Sequence, residues 1–117
     1  MTVWARREPT DAGHTKFSLE VAHNSLPFFK EYFDTAVPIP PKTGKSRELI
    51  FKDRRSSLNL DLLSIPDFVS GAMENWGLVS FREDRIIFDE KIASTYQKQR
   101  LAETMAHELA HFCRYFI

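Results

Sequence analysis

The chain runs to 117 residues, 43% hydrophobic and 27% charged, one domain's worth of globular protein, long enough to bury roughly two thirds of its surface. Sixteen basic and sixteen acidic residues cancel to a formal charge of +0, which excludes a whole-chain field that draws in nucleic acid or acidic membrane. The lone Cys113 excludes an internal disulfide, no apolar run approaches the roughly 18 residues of a membrane span, and Met1 to Arg7 lacks the apolar region of a signal peptide.

In chain order, Val3-Trp4-Ala5 reads as a strand beginning almost at the first residue. Leu19, Ala22, Leu26, Phe29 and Phe33 recur at intervals of three and four, which predicts a helix from about Lys16 to Phe33, bent by Pro27. Val37-Pro38-Ile39-Pro40-Pro41 then forbids helix and implies an extended passage. Lys42, Lys45, Arg47, Lys52, Arg54 and Arg55 outnumber Glu48 and Asp53 in the segment that follows. With Phe51 as its only ring, this basic run reads as a solvated loop and not as a nucleic-acid or phospholipid surface.

Leu58 to Ile65 alternates apolar and polar at its start and then turns apolar throughout, as a strand does on entering a sheet interior, and Pro66 ends it. Trp76 to Phe81 and Arg85 to Phe88 read as two further strands joined by a tight turn at Glu83-Asp84. Between them lies Gly71-Ala72-Met73-Glu74-Asn75, flanked by Ile65 to Val69 and Trp76 to Phe81, both of which look like buried sheet. A carboxylate in that setting needs a positive partner. Arg82 and Arg85 are the structural candidates.

The last predicted element is a helix from about Thr95 to Tyr115. At about 100° per residue, Leu101, Met105, Leu109, Phe112 and Phe116 fall on one broad face, whereas His107 and His111 lie about 40° apart on the other side, beside Thr104. Ala106 and Ala110 leave room next to them, and Glu108 lies on the flank. The residues His107-Glu108-Leu109-Ala110-His111 have the spacing H-E-x-x-H. Two imidazoles one turn apart can bind one tetrahedral zinc, with the intervening Glu in reach of water as general base. Surface histidines on a solvated face are the bland alternative.

Together with Gly71 to Asn75, this motif resembles the zinc aminopeptidases of the aminopeptidase N family, within the gluzincin metallopeptidases. Leu26 to Phe33, Leu63 to Phe68 and Phe81-Arg82-Glu83 also look like text of that family, so the resemblance covers most of the chain. It implies that His107 and His111 hold one zinc ion and that Glu108 activates water. It further implies that Gly71, Ala72, Met73, Glu74 and Asn75 bind the peptide substrate. Glu74 then holds the free α-amino group, while Gly71 and Ala72 present main-chain atoms. The implied partner is a peptide with a free amino terminus, with no nucleic acid and no membrane span in this chain. The implied fold is α+β: a partial thermolysin-like catalytic domain in which a small mixed sheet packs beside the zinc-site helix.

Departures from the family pattern shape the remaining expectations. Phe112-Cys113-Arg114-Tyr115-Phe116-Ile117 follows the second His in place of the family's usual continuation. The third zinc ligand of relatives, a Glu roughly 19 residues beyond the second His, has no position here, so two protein ligands are expected. The oxyanion Tyr of relatives lies further on still. A basic insertion occupies about Lys42 to Ser57. The expected product is therefore 1-117 as an incomplete peptidase domain from a truncated or imperfectly spliced gene: a metalloaminopeptidase by lineage, inactive alone. The alternative is a non-catalytic remnant that binds peptide amino termini or weakly binds zinc. Such a chain is expected to expose the apolar stripe of its last helix and to associate.

Overall fold

The computed structural model describes residues 1–34 and 60–114, with side chains described as far as residue 112. The proline passage, the basic insertion, Phe116 and the Cys113 side chain fall outside the described residues. The elements run β1 (Thr2–Trp4), α1 (Arg7–Asp11), α2 (Lys16–Tyr32), β2 (Asp61–Ile65), β3 (Ala72–Met73), β4 (Leu78–Arg82), a 3-10 turn (Glu83–Arg85) and α3 (Thr95–Arg114). This is an α+β arrangement, as expected.

The sheet order is β1-β2-β4-β3, with β1 and β4 parallel to β2 and β3 antiparallel to β4. Register pairs Leu62 with Val79 and Ser64 with Phe81, and side chains alternate along each strand, so these four share one face. That face carries the core. Leu60, Leu62, Val79 and Phe81 from the sheet cluster with Ala22 and Leu26 of α2, Ile86, and Met105, Leu109 and Phe112 of α3. Burying each large side chain contributes about 1.5 to 3 kcal/mol.

The predicted stripe of α3 is therefore covered, contrary to the expectation that it lacks partners: Leu101, Met105, Leu109 and Phe112 are all buried. The helix packs against α2, the 3-10 turn and β3. Its start is fixed by a capping box. Ser94 Oγ accepts from Gln97 N–H and Gln97 Oε1 accepts from Ser94 N–H, at 3.2 and 2.8 Å.

Two predicted sheet segments are corrected. Arg85 to Phe88 forms no strand, because its main-chain groups are satisfied elsewhere: Ile86 and Ile87 N–H bond to Glu83 C=O, Ser18 Oγ donates to Ile86 C=O, and Phe88 N–H bonds to His14 C=O. Ile86 itself is buried in the core. The segment after Ile65 is a turn in which Val69 is 97% exposed, so it is not the buried sheet that its apolar composition suggested. β2 alternates throughout, with Leu62 and Ser64 buried between half-buried neighbours. Trp76 and Gly77 precede β4 as a turn.

Helix α1 was not legible from periodicity, being one turn long. It ends in a Schellman motif, with His14 N–H on Pro9 C=O, Gly13 N–H on Thr10 C=O and Gly13 at φ +78°. Arg6 clamps Glu83 through two hydrogen bonds of 2.8 and 2.9 Å, tying the end of β1 to the turn after β4.

Candidate active site

β3 is an edge strand, and its pairing decides what its main chain can reach. Arg82 N–H bonds to Gly71 C=O at 2.9 Å, which makes Gly71 and Arg82 a hydrogen-bonded pair. Ala72 opposite Phe81 is then a non-hydrogen-bonded pair. Its N–H and C=O project from the outer side of the strand. The Gly71 carbonyl is taken up within the sheet, so of the two residues expected to present main-chain atoms, Ala72 is the one whose carbonyl faces outward.

Beyond Met73 the chain turns. Leu78 N–H bonds to Asn75 C=O at 3.0 Å across Trp76 and Gly77, and Gly77 takes φ +78°, a left-handed conformation that glycine adopts without steric cost. Asn75 Nδ2 makes a long hydrogen bond of 3.4 Å to Ser80 Oγ. Trp76 lays its ring against Phe112 of α3, centroids 5.4 Å apart. Glu74 thus lies between the pairing of Met73 with Ser80 and the seat of Trp76 on Phe112 of α3.

On α3 the expected pair comes together: His107 Nε2 and His111 Nε2 are 3.2 Å apart. His107 is exposed, His111 half-buried, and Glu108 between them is buried at 7% exposure. Oxygens of Glu74 and Glu108 and a ring nitrogen of His111 lie within 4.8 Å of one another. Burial pushes the Glu108 carboxyl above its ordinary range; His107 and His111 pull it back, and Glu74 pushes it further up. Among the described residues Glu108 Oε2 has no hydrogen-bond partner.

Sequence reasoning placed Glu74 in a buried apolar frame, yet it is half-buried, with Met73, Asn75 and Trp76 exposed around it. The two candidate partners are engaged with Asp84: Arg82 through bonds of 2.7 and 3.0 Å, Arg85 at 3.6 Å. Ser80 was missed as a support of this turn. The signal was present in the alternation of Val79 and Phe81, which turns Ser80 to the other face, where Met73 is its register partner.

The arrangement can hold a divalent cation, keep a desolvated carboxylate beside it, and offer a strand edge to an extended chain. No described helix is long and apolar enough to cross a membrane. Residues 17–113 match the family described as Peptidase family M1 domain. Aminopeptidase M1-A of Oryza sativa subsp. japonica is 46% identical over 96 residues, which is 82% of this chain and 9% of that protein. Aminopeptidase N of Homo sapiens is 38% identical over 109 residues, 93% of this chain and 9% of that protein. Endoplasmic reticulum aminopeptidase 2 of Bos taurus is 40% identical over 103 residues, 88% of this chain and again 9% of that protein. The chain spans about 9% of the length of these curated relatives. A profile that covers most of the residues, together with the paired imidazoles and adjoining carboxylates that they form, establishes that the chain belongs to peptidase family M1.

Proposed function

We propose that the chain carries the metal-holding and amino-terminus-recognising part of a zinc metalloaminopeptidase acting on peptides with a free amino terminus. One observation supports this reading: Glu108 and His111 of α3 converge with Glu74 from the end of β3, and His107 Nε2 stands 3.2 Å from His111 Nε2. The donors fit zinc. Two nitrogens sharing a tetrahedral ion at about 2.05 Å stand about 3.3 Å apart, close to the 3.2 Å between the two Nε2 atoms.

When bound, zinc supplies Lewis-acid polarisation of the scissile carbonyl and lowers the pKa of water. Glu108 is the general base: its desolvated carboxylate accepts a proton from the attacking water and passes it to the leaving amine. Glu74 pairs with the peptide's α-ammonium in a charge-assisted hydrogen bond. Ala72 aligns the peptide through main-chain bonds along the outer side of β3, as strand addition does generally. Met73 and Asn75 flank the leaving residue. Residues 1–117 form part of one peptidase domain that carries a basic insertion at about 42–57.

The isolated chain binds without turnover. The aligned residues make up 9% of a relative's length, and charged groups in an open site are poorly shielded from water. No amino acid should be released from an aminoacyl chromogenic substrate above a no-protein control, even with added zinc.

The deciding experiment is calorimetric binding of a short peptide, free or N-acetylated at its amino terminus, at zinc concentrations that saturate each variant. The free amine should bind more tightly, and Glu74→Gln should erase the preference while Glu108→Gln keeps it. Equal affinity for both peptides in the parent chain would sink the reading.

A further inference from the structure

We propose that Arg85 is a specificity-determining residue that takes a carboxylate at the third residue of the peptide, either an acidic side chain or the carboxy terminus of a tripeptide. This rests on reading Glu74 as the partner of the peptide's α-ammonium, and it adds a second charged contact at the other end of β3.

The register follows from the edge strand. The Ala72 N–H and C=O project outward, so the peptide residue opposite Ala72 exchanges both bonds with it. After Met73 the chain leaves the sheet. A peptide whose amino terminus lies at Glu74 can therefore follow the strand in one direction only, back toward Gly71 and antiparallel to β3. Its first residue then lies opposite Met73, its second opposite Ala72 and its third opposite Gly71.

The register in turn decides which way each side chain points. Residues directly opposite in an antiparallel pair turn their side chains to the same face, with Cβ atoms about 4.5 to 5.5 Å apart. Gly71 pairs with Arg82 and Met73 with Ser80, on the face away from the core, so the third side chain of the peptide lies on that face. Gly71 has no side chain to fill the place beside it. A Cβ built there would stand 4.0 Å from Arg85 Nε, and no other described atom beyond its chain neighbours comes within 4 Å. Arg85 is thus the group that the third side chain meets across Gly71.

Charge selects the ligand. The Arg85 side chain is 18% exposed, and its charged partner among the described residues, Asp84, is 3.6 Å away, beyond hydrogen-bond distance. Asp84 gives both oxygens to Arg82 at 2.7 and 3.0 Å. Two guanidiniums therefore share one carboxylate, and the one that Asp84 does not grip is the one that reaches Gly71. A partly desolvated guanidinium gains most from a planar anion with two acceptors, which is what a carboxylate presents.

The test is calorimetric binding of amidated tetrapeptides to the full 117-residue chain at saturating zinc, with circular dichroism reporting the fold of each variant. Ala-Ala-Glu-Ala-amide should bind about tenfold more tightly than Ala-Ala-Gln-Ala-amide, and Arg85→Gln should abolish the difference. Glu for Gln at the second residue should bring no such gain, because that side chain shares the face of Ala72, which packs against the core. Ala-Ala-Ala against its amide reads the other source of the carboxylate, and Arg85→Gln should likewise abolish any preference for the acid. The proposal is overturned if neither pair differs by more than about threefold in the parent chain, if the gain is equal at the second and third residues, or if it survives Arg85→Gln. Should Arg85→Gln fail to fold, the comparison of the two positions decides, since it needs only the parent chain. A parent that prefers a free to an acetylated amino terminus but ignores the carboxylate refutes the role of Arg85 alone; one that distinguishes neither, or binds no peptide, refutes the reading of Glu74 as well.

Discussion

His107 Nε2 and His111 Nε2 stand 3.2 Å apart on successive turns of α3, with their rings near perpendicular at 86°. Two imidazole lone pairs at that separation repel one another unless a proton or a cation lies between them. On the reading proposed above, occupancy of the pair by a metal should register in the stability of the whole chain.

Zinc should raise the thermal midpoint. A ligand present at a hundred times its Kd adds about 2.7 kcal/mol, a shift on the order of 10 °C for a domain of this size. His107→Ala should abolish the shift and leave the metal-free midpoint nearly unchanged, because His107 is exposed. Differential scanning fluorimetry with and without chelator measures both. An undiminished zinc shift in the variant would remove His107 from the site.

Leu109→Ala probes the stripe on the opposite side of the same helix. Leu109 is fully buried in the cluster that joins α2, α3 and the sheet, so truncation should cost about 2 to 5 kcal/mol. Urea unfolding provides the number. Because the stripe is covered, sedimentation of the parent chain should show no association through α3; self-association that Leu109→Ala relieves would contradict the packing described.

Gly77→Ala places a side chain at φ +78°, at a cost of about 1 to 2 kcal/mol. The strain falls in the turn that presents Glu74. The unfolding midpoint should drop, and the preference for a free over an acetylated peptide should weaken with it. Loss of stability with the preference intact would show that the turn holds the sheet and not the carboxylate.

Asp84 offers a pH test away from the metal. Its hydrogen bonds to Arg82 hold its carboxyl below the ordinary carboxylate range, against burial and with help from Arg85. A folded pKa below the unfolded value contributes stability that is complete above the unfolded pKa of about 3.9 and is lost as pH falls through the folded value. The pair is half exposed, so solvent screens the contribution and keeps it small. Urea midpoints from pH about 6 down to about 3 should fall more steeply in the parent than in Asp84→Asn. Parallel curves would mean that the pair contributes nothing.

Much of this protein was determined by the sequence alone. The 3.6-residue period of Leu19, Ala22 and Leu26 and of Leu101, Met105 and Leu109 gave both long helices, because an apolar stripe has one stable way to bury itself. The spacing of His107 and His111 placed both rings on one helical face by geometry internal to α3. The Asn75-Trp76-Gly77 turn instead reads as the start of a strand, and the Ser94 to Gln97 box that opens α3 goes unread. Only tertiary structure decided the rest. Ile86 to Phe88 has strand composition, but Ser18 and His14 claim its main chain, and no local pattern reports a partner so far along the chain. Val69 is apolar yet exposed, which its composition did not report. The meeting of Glu74 with Glu108 and His111 needs the pairing of β3 with β4 and the seat of Trp76 on Phe112. Sequence named each residue of the site, and packing between distant segments set the distances that make them one.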